Sequence, residues 1–331
     1  MKSFIVIGAG AWGTALSMVL ARQGHQVVLW GHDPQKMQVL AKERVHARYL
    51  PNIAFPENLI IATTLQEAFH QVTTDPTILV AVPSVAFMQT VDQLAPFINE
   101  KSRMLSATKG LSDQGEFFSD LVQLKFPALP FAVLSGPSFA LEVAKGLPTA
   151  VVIGTQSPDF GQALLQAFHS DIFRVYLSED VQGAQLGGAV KNVLAIAVGM
   201  SEGLGYGANA RSALITRGLA ELCRLGEKLG VPLNTLMGLS GVGDLVLTCT
   251  DNQSRNRRFG LYLGQGKTFA QAQEMIGQVV EGKMNAKQVM LLAEKHAVEL
   301  PICQQVFEVI FEGLSPAQAV QNLLTRAPKA E

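Results

Sequence analysis

Cysteine is scarce in this chain and nowhere paired. Cys223, Cys249 and Cys303 are the three among 331 residues, and they form no C-x-x-C. An odd, scattered set is a poor disulfide framework and fits no metal spacing, so reduced thiols in a cytoplasmic protein are the expectation. No apolar run reaches the ~18 residues of a spanning helix, which argues against membrane insertion. Val193 to Met200 comes nearest and is too short. The N-terminus lacks a charged n-region and a cleavage pattern, so its apolar residues read as a strand and not as a leader. Excess charge of one sign is also missing: 26 basic and 27 acidic residues leave a net charge of −1. Such a balance gives no general attraction to nucleic acid or acidic membranes. Any anionic ligand must then be held by a local basic cluster. The six histidines follow no metal-ligand spacing, and no Ser-His-Asp order or carboxylate pair offers a hydrolytic site. No metal is expected. Internal repeats and low-complexity segments are absent too.

What is present is a large apolar supply, 48% hydrophobic against 16% charged residues, over a length that suits two domains. The chain opens with Phe4-Ile5-Val6-Ile7, an apolar run fit for a strand buried on both faces. It enters Gly8-Ala9-Gly10-Ala11-Trp12-Gly13 and then Thr14 to Arg22, helix-forming and apolar along one face up to Gly24. Val27-Val28-Leu29-Trp30 supplies the second strand. This is G-x-G-x-x-G inside a complete βαβ unit. The first glycine permits a tight turn, the second lets a pyrophosphate approach the backbone, and the third lets helix and strand pack closely. Free N–H groups at the helix start hold the phosphates. The alternative is a glycine-rich turn in a doubly wound fold that binds a mononucleotide.

Strand and helix signals go on alternating. Asp33-Pro34 reads as an N-cap with proline at the first helical position, and Thr64 with Glu67 has capping-box spacing. Further strands are expected at Ile78–Val82, Met104–Thr108, Phe131–Leu134, Ala150–Ile153 and Phe173–Tyr176. Repeated β-then-α order means a parallel-rich sheet with helices on both faces. From about residue 180 helical periodicity takes over, with helices expected at 181–200, 210–229, 255–263, 269–276, 282–295, 302–311 and 316–324. The domains are accordingly drawn at 1–178, a dinucleotide-binding domain, and 179–331, an all-helical substrate-binding and catalytic domain. In such enzymes the ligand lies outside the carboxyl ends of the strands, facing the second domain.

Several polar residues sit where a core pattern does not want them. Lys109 follows a strand and precedes Gly110. Lys191 lies within Leu186 to Val198, a helix apolar on nearly every side. Its amine either faces a cavity or snorkels to the surface. Asp244 is the single charge in Gly241 to Thr250 and could be an ordinary helix cap. Arg255, Arg257 and Arg258 open a helix and read as a concentrated anion site, or as a solvated charged face. An RNA-binding patch is disfavoured, since no aromatics interleave the cluster. A lysine among other cations loses its proton more easily, and can then exchange that proton with a carbonyl oxygen during hydride transfer.

With these residues the chain resembles the bacterial, soluble type of NAD(P)-dependent glycerol-3-phosphate dehydrogenase over essentially its whole length. The resemblance rests on residues 8–16, Ala107-Thr108-Lys109-Gly110-Leu111, Leu134 to Ala140 and Gln185 to Asn192. It continues through Gly207 to Arg211, Gly241 to Leu245, Asn252 to Gly260 and Val279 to Gly282. The resemblance implies a Rossmann-like α/β domain followed by an all-α domain like the C-terminal domain of 6-phosphogluconate dehydrogenase. It implies NAD(P)H as cofactor and reversible reduction of dihydroxyacetone phosphate, feeding glycerophospholipid synthesis. Lys191 would be the general acid and base. Lys109, Gly136, Ser138, Asp244, Ser254, Arg255 and Asn256 would join Lys191 in binding the phosphorylated substrate. Gly8, Gly10, Ala11, Trp12, Gly13, His32, Lys109, Ala140, Arg255, Val279 and Glu281 would line the cofactor site. Ala11 departs from the family's usual serine and loses one hydroxyl contact to the pyrophosphate.

The end of the second strand carries Gly31-His32-Asp33. Asp33 is explained as a cap, so no acidic residue is assigned to the ribose; His32 could approach a 2′-phosphate, and NADPH or NADH could serve. A homodimer is compatible with the helical second half. Rival readings are a β-hydroxyacid or 6-phosphogluconate type of dehydrogenase, and a non-catalytic dinucleotide sensor.

Overall fold

The computed structural model describes residues 2–72 and 75–327. The chain divides into two compact units. The first takes the chain up to Thr108 together with Phe118–Ala184; the second takes Lys109–Phe117 and the chain from Gln185 onward.

The strands of the first unit are β1 (Ser3–Ile7), β2 (Gln26–Trp30), β3 (Val45–His46), β4 (Leu50–Ala54), β5 (Leu59–Ala62), β6 (Thr77–Val80), β7 (Arg103–Ser106), β8 (Phe131–Ser135), β9 (Thr149–Thr155) and β10 (Phe173–Ser178). Its helices are α1 (Ala11–Arg22), α2 (Pro34–Glu43), α3 (Leu65–His70), α4 (Phe87–Leu94), α5 (Phe118–Lys125), α6 (Ala140–Lys145) and α7 (Pro158–Phe168). The sheet runs β10-β9-β8-β7-β6-β1-β2-β5, and β3 pairs with β4 as a separate hairpin. Alternation along β1 sends Phe4 and Val6 into one apolar core and Ile5 and Ile7 into the other, one on each face of the sheet. Strand order reverses at β1, which pairs with β2 on one side and β6 on the other, both parallel. That reversal opens a crevice at the carboxyl end of β1, where Gly8 begins.

Two features of this sheet differ from a plain βα reading. The pair β8–β9 is antiparallel. Gly136 turns the chain directly after β8 with φ +122°, and a Cβ there would come 3.2 Å from Val151 Cα. The short connection through α6 therefore returns β9 beside β8 in reverse. The hairpin β3–β4 carries too little apolar pattern to be read from the sequence alone, and the edge strand β5 is a four-residue apolar run, Leu59–Ala62, that the sequence reading passed over.

The helices of the second unit are α8 (Val181–Gly203), α9 (Ala208–Lys228), α10 (Leu233–Leu236), α11 (Asp244–Thr250), α12 (Arg255–Gly264), α13 (Phe269–Ile276), α14 (Glu281–Lys295), α15 (Pro301–Phe307) and α16 (Pro316–Leu324). Residues 183–201 of α8 are all buried, as an all-round apolar helix must be. Glycines let α8 and α12 touch backbone to backbone: a Cβ on Gly199 would strike the Arg257 carbonyl, and one on Gly260 the Ile196 carbonyl. These units differ from a single cut at residue 178. Val181 and Ala184 pack in the core of the first unit, whereas Leu111 and Phe117 pack in the core of the second. The segment carrying Lys109 thus belongs with the helices.

Candidate active site

In the first unit the turn from β1 into α1 is shaped by steric limits. Gly8 holds φ +116°, a conformation disfavoured for any side chain. A Cβ on Gly13 would run into the Gly8 carbonyl. Gly10, in contrast, meets nothing within 4 Å where its Cβ would stand. It is the N-cap of α1, with no side-chain cap and no acidic residue in the first turn. Open space beside the uncapped N-terminus of a 12-residue helix suits a diphosphate, so the residues present fit a dinucleotide. His46 Nε2 lies 3.1 Å from the Ala9 carbonyl and donates to it, tying the β3–β4 hairpin to this turn. No sequence signal pointed to that tie.

The other first-unit residues are placed as follows. Trp12 is half-buried against the core, and His32 is exposed at the end of β2. Asp33 caps α2 by accepting from the Lys36 N–H at 3.1 Å and pairs with the Lys36 ammonium at 2.7 Å. Its carboxylate is thus occupied, as the cap reading requires. Ala140 opens α6, and the Ser138 hydroxyl donates to the Gly136 carbonyl at 3.0 Å.

The second unit holds a buried charge cluster. Asp244 is 1% exposed and Lys191 is 5% exposed. The Lys191 ammonium sits on Asp244 Oδ1, and the Lys109 ammonium donates to Oδ2 at 2.9 Å. Lys191 therefore does not snorkel to the surface. Asp244 does not act as a helix cap either: it is the first residue of α11, and its carboxylate is turned onto the two lysines. Burial brings the Lys191 ammonium down from 10.5 to about 7. The Asp244 carboxylate opposes that fall and the Lys109 charge reinforces it. Burial alone would raise Asp244, but the two ammonium groups overcome it and hold the carboxyl below its ordinary value.

Arg257 is set apart from Arg255 and Arg258, because 255 and 258, three apart, share a helix face while 257 lies on another. Ser254 caps α12, accepting from the Arg257 N–H at 3.2 Å. Arg255 Nη1 donates to Gln278 Oε1 at 3.2 Å. Arg257 pairs with Glu202 at 2.7 Å, and Glu202 also pairs with Arg211 at 2.9 Å. Of the three arginines expected in one anion site, Arg257 is thus engaged by Glu202, a carboxylate it shares with Arg211. Asn256 has its oxygen on the Gly282 N–H at 2.9 Å, and its nitrogen donates to Asn192 at 2.8 Å. Val279 is 52% exposed, and Glu281 begins α14.

Among the described residues no helix is long and apolar enough to cross a membrane. A family model described as NAD-dependent glycerol-3-phosphate dehydrogenase N-terminus matches residues 3–161, and its C-terminus counterpart matches residues 180–321. A protein of Bartonella tribocorum named glycerol-3-phosphate dehydrogenase [NAD(P)+] is 50% identical over 98% of both chains. One of the same name from Shewanella frigidimarina is 51% identical over 98% of this chain and 96% of its own. A crystal structure of glycerol-3-phosphate dehydrogenase from Coxiella burnetii superposes with a TM-score of 0.95 at 48% identity, covering 98% of this chain and 99% of that one.

Proposed function

The chain belongs to the NAD-dependent glycerol-3-phosphate dehydrogenase family, whose activity it shares, and from that premise we propose which residues carry the reversible reduction of dihydroxyacetone phosphate to sn-glycerol 3-phosphate. When bound, the reduced nicotinamide supplies the hydride that reaches C2 of the substrate. The β1–α1 turn, with Gly8, Gly10, Ala11, Trp12 and Gly13, holds the pyrophosphate through backbone N–H groups. His32, Ala140, Lys109, Arg255, Val279 and Glu281 complete the cofactor contacts.

Lys191 gives its proton to the C2 oxygen as negative charge develops there, and takes it back in the reverse direction. Lys109 keeps that proton loosely held. Asp244 orients both amines, and its remaining lone pairs accept the substrate hydroxyl. Arg255 grips the phosphate, and the start of α12, with Ser254 and Asn256, adds N–H groups that lack an acceptor inside the helix. Gly136 and Ser138 add further contacts to the substrate. The observation that supports this reading is a buried lysine brought to about 7 by its surroundings, on a helix packed against the arginine-bearing helix.

The test is loss of NAD(P)H absorbance with dihydroxyacetone phosphate. Arg255→Ala is expected to raise KM for that substrate about ten- to a hundredfold, the range of a charged hydrogen bond. Equal use of unphosphorylated dihydroxyacetone would overturn the phosphate assignment. With no carboxylate free at the end of β2, discrimination between the cofactors is expected to be mild, which kcat/KM for NADH and NADPH measures directly. The product serves glycerophospholipid synthesis in the cytoplasm, and the active species is a homodimer; sedimentation tests the latter.

A further inference from the structure

Four buried amide side chains in the second unit form a single oriented chain. The Gly282 N–H donates to Asn256 Oδ1 at 2.9 Å, and Asn256 Nδ2 to Asn192 Oδ1 at 2.8 Å. Asn192 Nδ2 donates to Asn285 Oδ1 at 2.8 Å, with a second bond to the Gly188 carbonyl at 3.1 Å. Asn285 Nδ2 donates to Gln288 Oε1 at 2.8 Å, and the Leu111 N–H approaches the same oxygen at 3.4 Å. Asn285 and Gln288 are 0% exposed, Asn192 5% and Asn256 9%.

The direction of this chain is fixed by its ends. A backbone N–H can only donate, so Asn256 must offer its oxygen to Gly282 and Gln288 its oxygen to Leu111. Each amide in between then accepts from one neighbour and donates to the next. Turning Asn256, Asn192 or Asn285 would set N–H against N–H on one side and oxygen against oxygen on the other, and turning Gln288 would set its N–H against the Asn285 and Leu111 donors. The orientation is therefore shared by all four. It is kept at a cost, since Gln288 Nε2 has no partner among the described residues. Aliphatic side chains would fill the same volume without that cost.

Each anchor lies beside a residue assigned to the reaction. Leu111 is two residues beyond Lys109, Asn192 follows Lys191, Asn256 follows Arg255, and Gly282 follows Glu281. The segment from Lys109 packs directly on α14, where a Cβ on Gly115 would come 2.8 Å from the Gln288 carbonyl. Asn285 and Gln288 occupy the middle and the far end of the chain, and neither belongs to the cofactor or substrate set.

We propose that Asn285 and Gln288 are positioning residues which, through Asn192 and Asn256, lock the segments bearing Lys109, Lys191 and Arg255 into one register. The proposal rests on the dehydrogenase reading above. It predicts a specific chemical requirement. The structure uses only the oxygen of Gln288, so glutamate can replace it and isosteric methionine cannot.

The experiment compares the wild-type chain with Asn285→Leu, Gln288→Met and Gln288→Glu. Initial rates with dihydroxyacetone phosphate are measured alongside cofactor affinity and thermal midpoint. Asn285→Leu and Gln288→Met are expected to lower kcat by about tenfold or more, as removing an outer orienting partner does, with cofactor affinity unchanged. Gln288→Glu is expected to recover most of that loss. Leu and Met variants with wild-type kcat overturn the proposal. So does a loss in all three that follows only their thermal midpoints, and so does failure of the Leu and Met variants to fold, because each makes the chain a packing device. An inactive wild-type chain would instead strike the dehydrogenase reading itself.

Discussion

Lys191 is poised between losing its proton to burial and keeping it for Asp244, so its charge changes near neutrality. The sign of the pH dependence follows. In the role proposed for Lys191, reduction needs the ammonium as acid, so kcat for dihydroxyacetone phosphate should fall as pH rises through about 7. Oxidation of glycerol 3-phosphate needs the free amine, so its kcat should rise over the same interval. Parallel profiles in the two directions would contradict the assignment. Lys191→Ala should lower kcat by about 10²- to 10⁴-fold, the usual worth of a positioned proton donor, with cofactor affinity nearly unchanged. That this lysine was out of place is legible in the apolar residues around it. Its partner Asp244 is not, because a lone acid before a helix reads first as a cap. Glu202 was invisible for the same reason: nothing local shows that it meets Arg257.

Among elements, the β1–α1 turn sets Gly13, where a Cβ has no room, beside Gly10, the proposed pyrophosphate contact, where it has. Gly13→Ala would push a Cβ into the Gly8 carbonyl, and overpacking of this kind costs about 1–3 kcal/mol. Its thermal midpoint should drop. Gly10→Ala places a methyl in open space at a φ of −81°, which alanine adopts freely. Its midpoint should hold while cofactor affinity falls more than about tenfold, each factor of ten being about 1.4 kcal/mol. Calorimetry and a cofactor titration on the two variants would show whether the roles divide this way. The fingerprint, most of the buried strands and the longer helices after residue 180 were legible, because apolar runs and helical periods are local signals; the short helices α10 and α11, of four and seven residues, were not. The antiparallel return of β9 was not, since it depends on Gly136 and the short α6. The hairpin β3–β4 was missed because only two residues form its first strand.

For the whole molecule, near-balanced charge and free Cys223, Cys249 and Cys303 place stability in the apolar cores and hydrogen bonds. Burial pushes the Cys249 thiol up to about 12 and raises Cys303 well above its ordinary value, so neither is a ready thiolate. The thermal midpoint should be the same with and without reductant, and a fall on reduction would reveal a disulfide. The compact units are less simple than a cut near residue 178 suggests. A short segment after β7 leaves the first unit and joins the helices, because Leu111 and Phe117 bury themselves there.

By itself the sequence determined the order of strands and helices, the glycine turn at the first helix, and the oddity of a lysine within an apolar helix. These are properties of neighbouring residues. The tertiary structure alone decided that Asp244 lies between Lys109 and Lys191, that Asn256 spends its amide on Gly282 and Asn192, and that Arg257 pairs with Glu202. Such pairings depend on how helices distant in sequence cross. The α8–α12 crossing is set by the close contacts Gly199 and Gly260 allow, and Gly187 and Gly282 allow the like against Ser240 and Asn192, which no local pattern encodes.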